Sequence, residues 1–266
     1  MKHMPSIRIV TSVYKDHAIL NEWINNIDIP ITVYVKDDNI KKNESHNVDD
    51  RYIHIPNYGR CDYAFLYHII HNYDKLDDRI IFTKVNWKYT GLDLFRLLNL
   101  SKKYDFVESG SYQILQYHKK DRWINDGSPI FFNVHNIFDD PEAYKLYNEM
   151  LPNMEPPEIF AGWGHYPCFC VSKELILRHP KSIYEALLKK FHPEETTVSK
   201  TALAEYNVCY NKNFNAFNDI NTYDGSVLIL GIWLHDLFGR LWPLFFTHNI
   251  DSLYKIAPRI EIEHIQ

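Results

Sequence analysis

Ile7-Arg8-Ile9-Val10-Thr11-Ser12-Val13-Tyr14 is a β-rich apolar run that ends in small polar residues. From Asp16 to Ile27 the pattern changes, with Ile19, Leu20, Trp23, Ile24 and Ile27 at helical spacing, so the reading is strand, then helix. The alternation continues. Ile31-Thr32-Val33-Tyr34-Val35 is a second strand closed by Lys36-Asp37-Asp38-Asn39, the polar segment up to Asp50 reads as an exposed loop, and Arg51-Tyr52-Ile53-His54-Ile55 is a third strand. Pro56-Asn57-Tyr58-Gly59-Arg60 is turn chemistry, followed by a helix with Phe65, Leu66, Ile69, Ile70 and Tyr73 on its apolar face, ending near Asp74. Arg79-Ile80-Ile81-Phe82-Thr83 is the next strand and Leu92 to Leu100 another helix.

Strands separated by helical stretches predict an α/β fold with a mostly parallel sheet and crossover helices. Ligands of such sheets bind beyond the carboxyl ends of the strands. The polar clusters fall there: Thr11-Ser12, Asp37-Asp38, Asn57-Gly59-Arg60 and Lys84-Asn86. After Asp105 the regularity weakens. Phe106 to Leu115 reads as a strand or two, Pro152 to Pro157 as a Pro-rich loop, and Cys168-Phe169-Cys170-Val171 as a strand entering a helix from Ser172 to His179, with Ser172 as its N-cap. Helices are also expected at Ser182 to Phe191 and Leu228 to Phe246, the latter stopped or kinked at Pro243.

A chain of 266 residues is long enough to bury a substantial core, and one domain is expected, with a nucleotide-binding half over about 6–104 and an acceptor half with C-terminal helices over 105–266. A net charge of -5 and a pI near 6.3, without a basic block, argue against a nucleic-acid partner. No apolar signal core follows Met1, and the longest apolar run, Val227 to Leu234, is too short to span a bilayer, so the expectation is a soluble, cytoplasmic protein. The four cysteines show neither a paired zinc pattern nor disulfide-scaffold density and are read as reduced thiols. Aromatic residues at 15% suit stacking on sugars or bases, or equally reflect the codon bias of an AT-rich genome.

Carboxylates at Asp37-Asp38 suit ribose hydroxyls, although Asp-Asp-Asn also suits a surface turn. In Asn57-Tyr58-Gly59-Arg60-Cys61-Asp62, a glycine lets backbone approach a ligand and an arginine at a helix start aims a fixed cation at phosphate; the alternative is a capping turn with a salt-bridged Arg60. The spacing is neither a Walker loop nor GxGxxG.

Asn57-Tyr58-Gly59-Arg60, the segment Phe65-Leu66-Tyr67-His68-Ile69-Ile70-His71-Asn72-Tyr73-Asp74-Lys75-Leu76-Asp77-Asp78, and the Ile-Phe strand after it resemble a family of largely uncharacterised fungal, plant and viral domains. Cys168-Phe169-Cys170-Val171-Ser172-Lys173-Glu174 resembles the family's Phe-x-Val-Ser-Arg-Glu segment. Arg240-Leu241-Trp242-Pro243-Leu244-Phe245-Phe246 resembles its closing Glu-Arg-Leu-Trp helix, with Gly239 where the family has Glu. That family is similar to glycosyltransferases of the GT-A fold.

The resemblance implies a GT-A-like, Rossmann-like domain that uses a UDP- or GDP-linked sugar and a glycan or glycoprotein acceptor. GT-A enzymes usually carry an Asp-x-Asp that holds Mg or Mn after the central strand, whereas this chain reads Thr83-Lys84-Val85-Asn86-Trp87. No cofactor is therefore expected, with a divalent cation such as Mn or Mg left open; Lys84 and Arg60 neutralise the diphosphate in place of a metal, or Lys84 is a solvated strand end in a protein that has lost transfer. Thr11, Ser12, Tyr14, Asp37, Asp38, Asn57, Gly59 and Asn86 complete the expected nucleotide-sugar site. Glu158 and His165 are the acid-base candidates beside the acceptor hydroxyl, and Trp163 and Tyr166 form the acceptor platform or pack their loop on the sheet. His235 is a metal ligand or a packing residue, and Asp236 pairs with Arg240 one helical turn on.

Overall fold

The opening run forms β1 (Ile7–Val13), and its alternation sets the two faces of the central sheet. The computed structural model describes residues 5–14, 17–37, 46–47, 51–85, 94–102, 104–108, 114–116, 141–152, 159–161 and 168–192, together with 234, 238, 239, 241, 242 and 245–247. After β1 come α1 (His17–Ile24), β2 (Ile31–Asp37), β3 (His46–Asn47), β4 (Tyr52–Pro56), α2 (Arg60–Asn72) with a 3-10 turn at Tyr73–Lys75, and β5 (Arg79–Lys84). Then follow α3 (Leu94–Ser101), β6 (Phe106–Glu108), β7 (Ile114–Gln116), α4 (Pro141–Met150), β8 (Ile159–Ala161), β9 (Phe169–Ser172), α5 (Lys173–Leu177) and α6 (Lys181–Lys189).

The main sheet has seven strands in the order β3-β4-β2-β1-β5-β9-β6, and β7 pairs with β8 apart from it. β4, β2, β1 and β5 are mutually parallel, whereas β3 and β9 run antiparallel to their neighbours. The sheet is thus mixed, with a parallel centre flanked by helices, as the α/β reading expected. Residues from both halves of the chain share it, because β9 lies between β5 and β6.

Side-chain parity divides the core in two. Val10, Tyr34, Ile80 and Phe82 face a cluster formed with α2, α5 and α6, which also takes in Leu234, Phe238, Leu241 and Trp242. Ile9, Val13, Val33, Val35, Ile81 and Val85 face a second cluster formed with α1 and α3. Parallel strands need both faces covered, and these two layers cover them. Ser172 caps α5 as expected, its Oγ accepting from the Leu175 N–H at 3.3 Å.

Three segments differ from the expectation. The polar stretch before Asp50 contains β3, held by backbone pairing to β4 rather than by any apolar pattern of its own. α4 was not anticipated, since it buries only a narrow stripe, Leu146, Tyr147 and Met150, while Tyr144, Lys145, Asn148 and Glu149 stay exposed. Phe160 and Ala161, to which the sequence pattern assigns no strand, pair with β7 as part of β8, a contact distant in sequence that local pattern does not report.

A polar network crosses the α2 side of the sheet. Tyr34 Oη lies 3.0 Å from His68 Nδ1, and Asn72 Nδ2 donates to the His68 carbonyl at 2.9 Å. Burial, with Arg8 and other cations nearby, pushes the His68 pKa down to about 3. The ring is therefore neutral when folded.

Between the ordinary imidazole range and that value the unfolded chain binds a proton that the folded chain excludes, so stability falls as pH is lowered through the window. One proton gives a slope of up to ~1.4 kcal/mol per pH unit. Melting curves between neutral and acid pH should show a smaller acid loss in His68→Gln than in the parent protein. An identical slope in the two would assign the loss to other groups.

Candidate functional site

Chain order around β1 creates a switch point. From β1 the chain passes through α1 to β2 on one side, while β4 is connected through α2 to β5 on the other. In parallel sheets the crevice at such a point, beyond the carboxyl ends, is where ligands bind. Register puts Thr11 opposite Thr83 and Ser12 opposite Lys84 across it.

Parity then sorts the side chains. Ser12 lies two residues after Val10 and Lys84 two after Phe82, so both project to the side of α2. Thr11, between Val10 and Ser12, faces the α1 and α3 layer with Ile9 and Val13. Thr11 and Ser12 were expected to act together; the pleat sends them to opposite faces. Thr11 is 0% exposed and its hydroxyl has no hydrogen-bond partner among the described residues. Thr83, on the same face, has its hydroxyl 3.3 Å from Cys168 Sγ.

α2 begins at this edge through an unusual turn. Gly59 is left-handed at φ 49° and ψ 38°, and Arg60 also has φ 49°, a region costly for a residue with a Cβ. The expectation was that Gly59 leaves room for a ligand. Instead the Phe191 ring fills that room: a Cβ at Gly59 would lie 1.8 Å from Phe191 Cδ1. Phe191 stands edge-on to Tyr63, which stands edge-on to Tyr58, so the turn rests on an aromatic stack.

The N-cap position of α2 is Gly59, which has no side chain with which to cap the helix. Asp62 in that turn is buried and its Oδ1 accepts from Trp242 Nε1 at 2.8 Å. Cys61 is buried too, and burial raises its thiol pKa well above the ordinary range.

The group that the sequence reading missed is Lys36. It follows Tyr34 by two residues in β2 and so lies on the α2 side with Ser12 and Lys84. Only 6% of it is exposed. Its Nζ donates to the Tyr58 carbonyl and stands 5.5 Å from the Tyr63 ring centroid, as a cation over a π face. Burial pushes its pKa down to about 7, countered by Cys61 and Asp62 and reinforced by Arg60. Lys84 in turn acts electrostatically on Cys61, so the ends of β2 and β5 both bear on the start of α2.

Of the other expected residues, Tyr14 and Asn57 are half-buried at the ends of β1 and β4, and Arg60 is exposed. Asp37 ends β2, paired in register with Pro56. Asp38, Asn86, Glu158, Trp163, His165 and Tyr166 lie outside the described residues, as do His235, Asp236 and Arg240. Gly239 is helical, and a Cβ there would meet nothing within 4 Å, which is room for the longer side chain expected at that position. Among the described residues no group of His, Cys, Asp and Glu is arranged to hold a metal ion, and no helix is long and apolar enough to cross a membrane.

A family profile described as "Protein of unknown function (DUF3431)" matches residues 9–206. The match runs from β1 past α6 and ends before Trp242, whose indole nevertheless reaches Asp62. Comparison with curated proteins finds no match.

Two substitutions test the geometry. Gly59→Ala combines a clash with a left-handed φ and should cost more than about 2 kcal/mol in denaturant unfolding, with part of the loss recovered in a Phe191→Leu background. No recovery would mean that Phe191 is not what confines Gly59. Thr11→Val removes a buried hydroxyl without a partner and should stabilise by about 1 kcal/mol. Destabilisation of similar size would show that the hydroxyl is satisfied in solution.

Proposed function

The chain belongs to this family of proteins of unknown function, and we propose from its own residues that it is a GT-A-like glycosyltransferase, acting as one domain. It moves a sugar from a UDP- or GDP-linked donor to a hydroxyl of a glycan or glycoprotein. The observation that supports this most is the pairing of Ser12 with Lys84 at the switch point, on the face where α2 begins. A cation, a helix amino end and small polar groups at one parallel-sheet edge suit a nucleoside diphosphate.

In this reading Ser12, Tyr14, Asp37 and Asp38 hold the nucleoside, with Asn57 and Asn86 beside them. Thr11 contributes through its backbone. Arg60 and Lys84 take the diphosphate. Glu158 or His165 accepts the proton of the acceptor hydroxyl as its oxygen bonds to the anomeric carbon. The bond from that carbon to the diphosphate breaks, and the charge left on the diphosphate is stabilised by Arg60 and Lys84. Trp163 and Tyr166 present aromatic faces to the acceptor.

The Asp-x-Asp that holds a divalent cation in this fold class is missing after β5, where the sequence reads Thr83-Lys84-Val85-Asn86. Lys84 ends β5, so this strand offers positive charge where a metal would need hard oxygen ligands. No step is routed through a metal. That same feature favours a second reading, a nucleotide-sugar or glycan-binding module that no longer transfers.

Thermal-shift screening with UDP-, GDP- and CMP-sugars, with and without Mn, followed by donor hydrolysis on any hit, separates the two. A metal-independent rise with a UDP- or GDP-sugar and turnover is expected; binding without turnover supports the module, and no shift with any donor overturns the transferase and the nucleotide-sugar module and leaves only a glycan-binding one. Lys84→Ala should abolish donor binding while the fold remains. Undiminished affinity would remove Lys84 from the site.

A further inference from the structure

We propose that Phe238 and Trp242 are positioning residues, which from one face of the C-terminal helical segment set the turn at 58–62 that opens α2 at the carboxyl edge of the sheet. The inference rests on the nucleotide-sugar reading for what the turn helps to bind, and not for the coupling itself.

Two separate lines of contact run from that segment to the turn. Trp242 Nε1 donates to Asp62 Oδ1 at 2.8 Å, a buried bond between residues 180 apart in the chain. Phe238 packs on Phe191 with ring centroids 5.2 Å apart, and Phe191 fills the space beside Gly59. Phe238 and Trp242 are one helical turn apart, so both lines start on one face and end at neighbouring points of the turn, Gly59 and Asp62. The backbone between those points, Arg60 and Cys61, is thereby constrained at both ends. On the sheet side Lys36 Nζ donates to the Tyr58 carbonyl and holds the entry to the same turn.

The indole is itself held for this contact. The rings of Phe238 and Phe246 flank it one helical turn to either side, at 5.1 Å and 5.4 Å, the second stacked within 10°. Its N–H therefore meets Asp62 with little rotamer freedom left to lose. Asp62 is 0% exposed, so taking the indole away costs a buried oxygen a donor. That cost falls on the first turn of α2, where Arg60 stands at φ 49° and depends on its surroundings to stay there.

The coupling also joins two stretches that stand apart in the sequence, Asn57-Tyr58-Gly59-Arg60 and Arg240-Leu241-Trp242. Phe238 and Trp242 lie beyond residue 206, where the family match ends, so the turn inside the matched stretch is supported from outside it.

Amide hydrogen exchange of the full chain without ligand tests the coupling. Trp242→Phe should speed local exchange of the Tyr63 amide, which bonds the Gly59 carbonyl at 3.3 Å, and of its neighbours in the turn, by about tenfold. Phe238→Leu should act on the same amides. Tyr184→Phe is the control, since it loses a buried hydrogen bond in the same core, to the Ile176 carbonyl at 2.8 Å, without touching the turn. It should lower global stability and leave the turn amides at their parent rates. Parent rates at the turn in Trp242→Phe, or the same acceleration in Tyr184→Phe, overturns the coupling. With a UDP- or GDP-sugar, affinity should fall about tenfold in Trp242→Phe and hold in Tyr184→Phe. A loosened turn with undiminished donor affinity overturns the positioning role and leaves the transferase reading intact. A loosened turn in a protein whose parent binds no donor leaves the coupling standing and removes the nucleotide-sugar reading.

Discussion

Parallel pairing of β1 with β2 on one side and β5 on the other leaves two apolar faces, neither of which can be given to water. Covering both requires helices above and below. The chain meets this by sending α1 and α3 to one face and α2, α5 and α6 to the other. Because β4 and β5 lie on opposite sides of the β2-β1 pair, the connection between them crosses that pair. α2 is that connection and packs against β1. Its amino end therefore starts at the carboxyl edge of the sheet, beside the switch point. The site's position is a consequence of how the core is closed.

The start of α2 is then fixed by residues from late in the chain. The Phe191 ring occupies the volume that a side chain at residue 59 would need, and the Trp242 indole donates to Asp62 one helical turn further on. With those two contacts in place, Arg60 is held in a left-handed conformation that costs about 1 kcal/mol when left to itself. Strain of this kind persists only where the surroundings over-determine the backbone. Here an aromatic ring and a buried hydrogen bond do so, and they also couple the C-terminal helical residues to the edge where the cations gather.

Much of this was legible in the sequence. β1, β2, β4, β5 and α2 carry strong period-2 or helical patterns, and turn chemistry at Pro56 to Arg60 marks their junction. β3, β7 and β8 are two or three residues long and owe their form to backbone pairing with distant partners, which no local pattern records. Gly59 was read for its own freedom, although the reason for it sits in Phe191. Lys36 was passed over because a lysine at the end of a strand reads as solvated. The signal was present as parity: Tyr34 and Lys36 share a face, and that face is the one α2 covers. The same parity separates Thr11 from Ser12, neighbours whose shared polarity suggested a shared task.

The two edges of the parallel sheet differ in a way that bears on function. At the amino edge most polar groups are matched: Ser6 and Asp78 exchange two hydrogen bonds, Arg8 meets Asp77 at 2.6 Å, and Arg79 meets Asp105 at 2.7 Å through Nη1, although its Nε is buried without a partner among the described residues. At the carboxyl edge the costs accumulate instead. A lysine is buried against a carbonyl and a ring, an arginine is held at positive φ, and a threonine hydroxyl is buried without a partner. Each lowers stability, and packing alone requires none of them, since an apolar side chain, a glycine and a valine would each serve the fold better. Local rules broken together at one place mark where a sequence answers to something other than folding. In a parallel sheet that place is also where the strands end and the helix dipoles point.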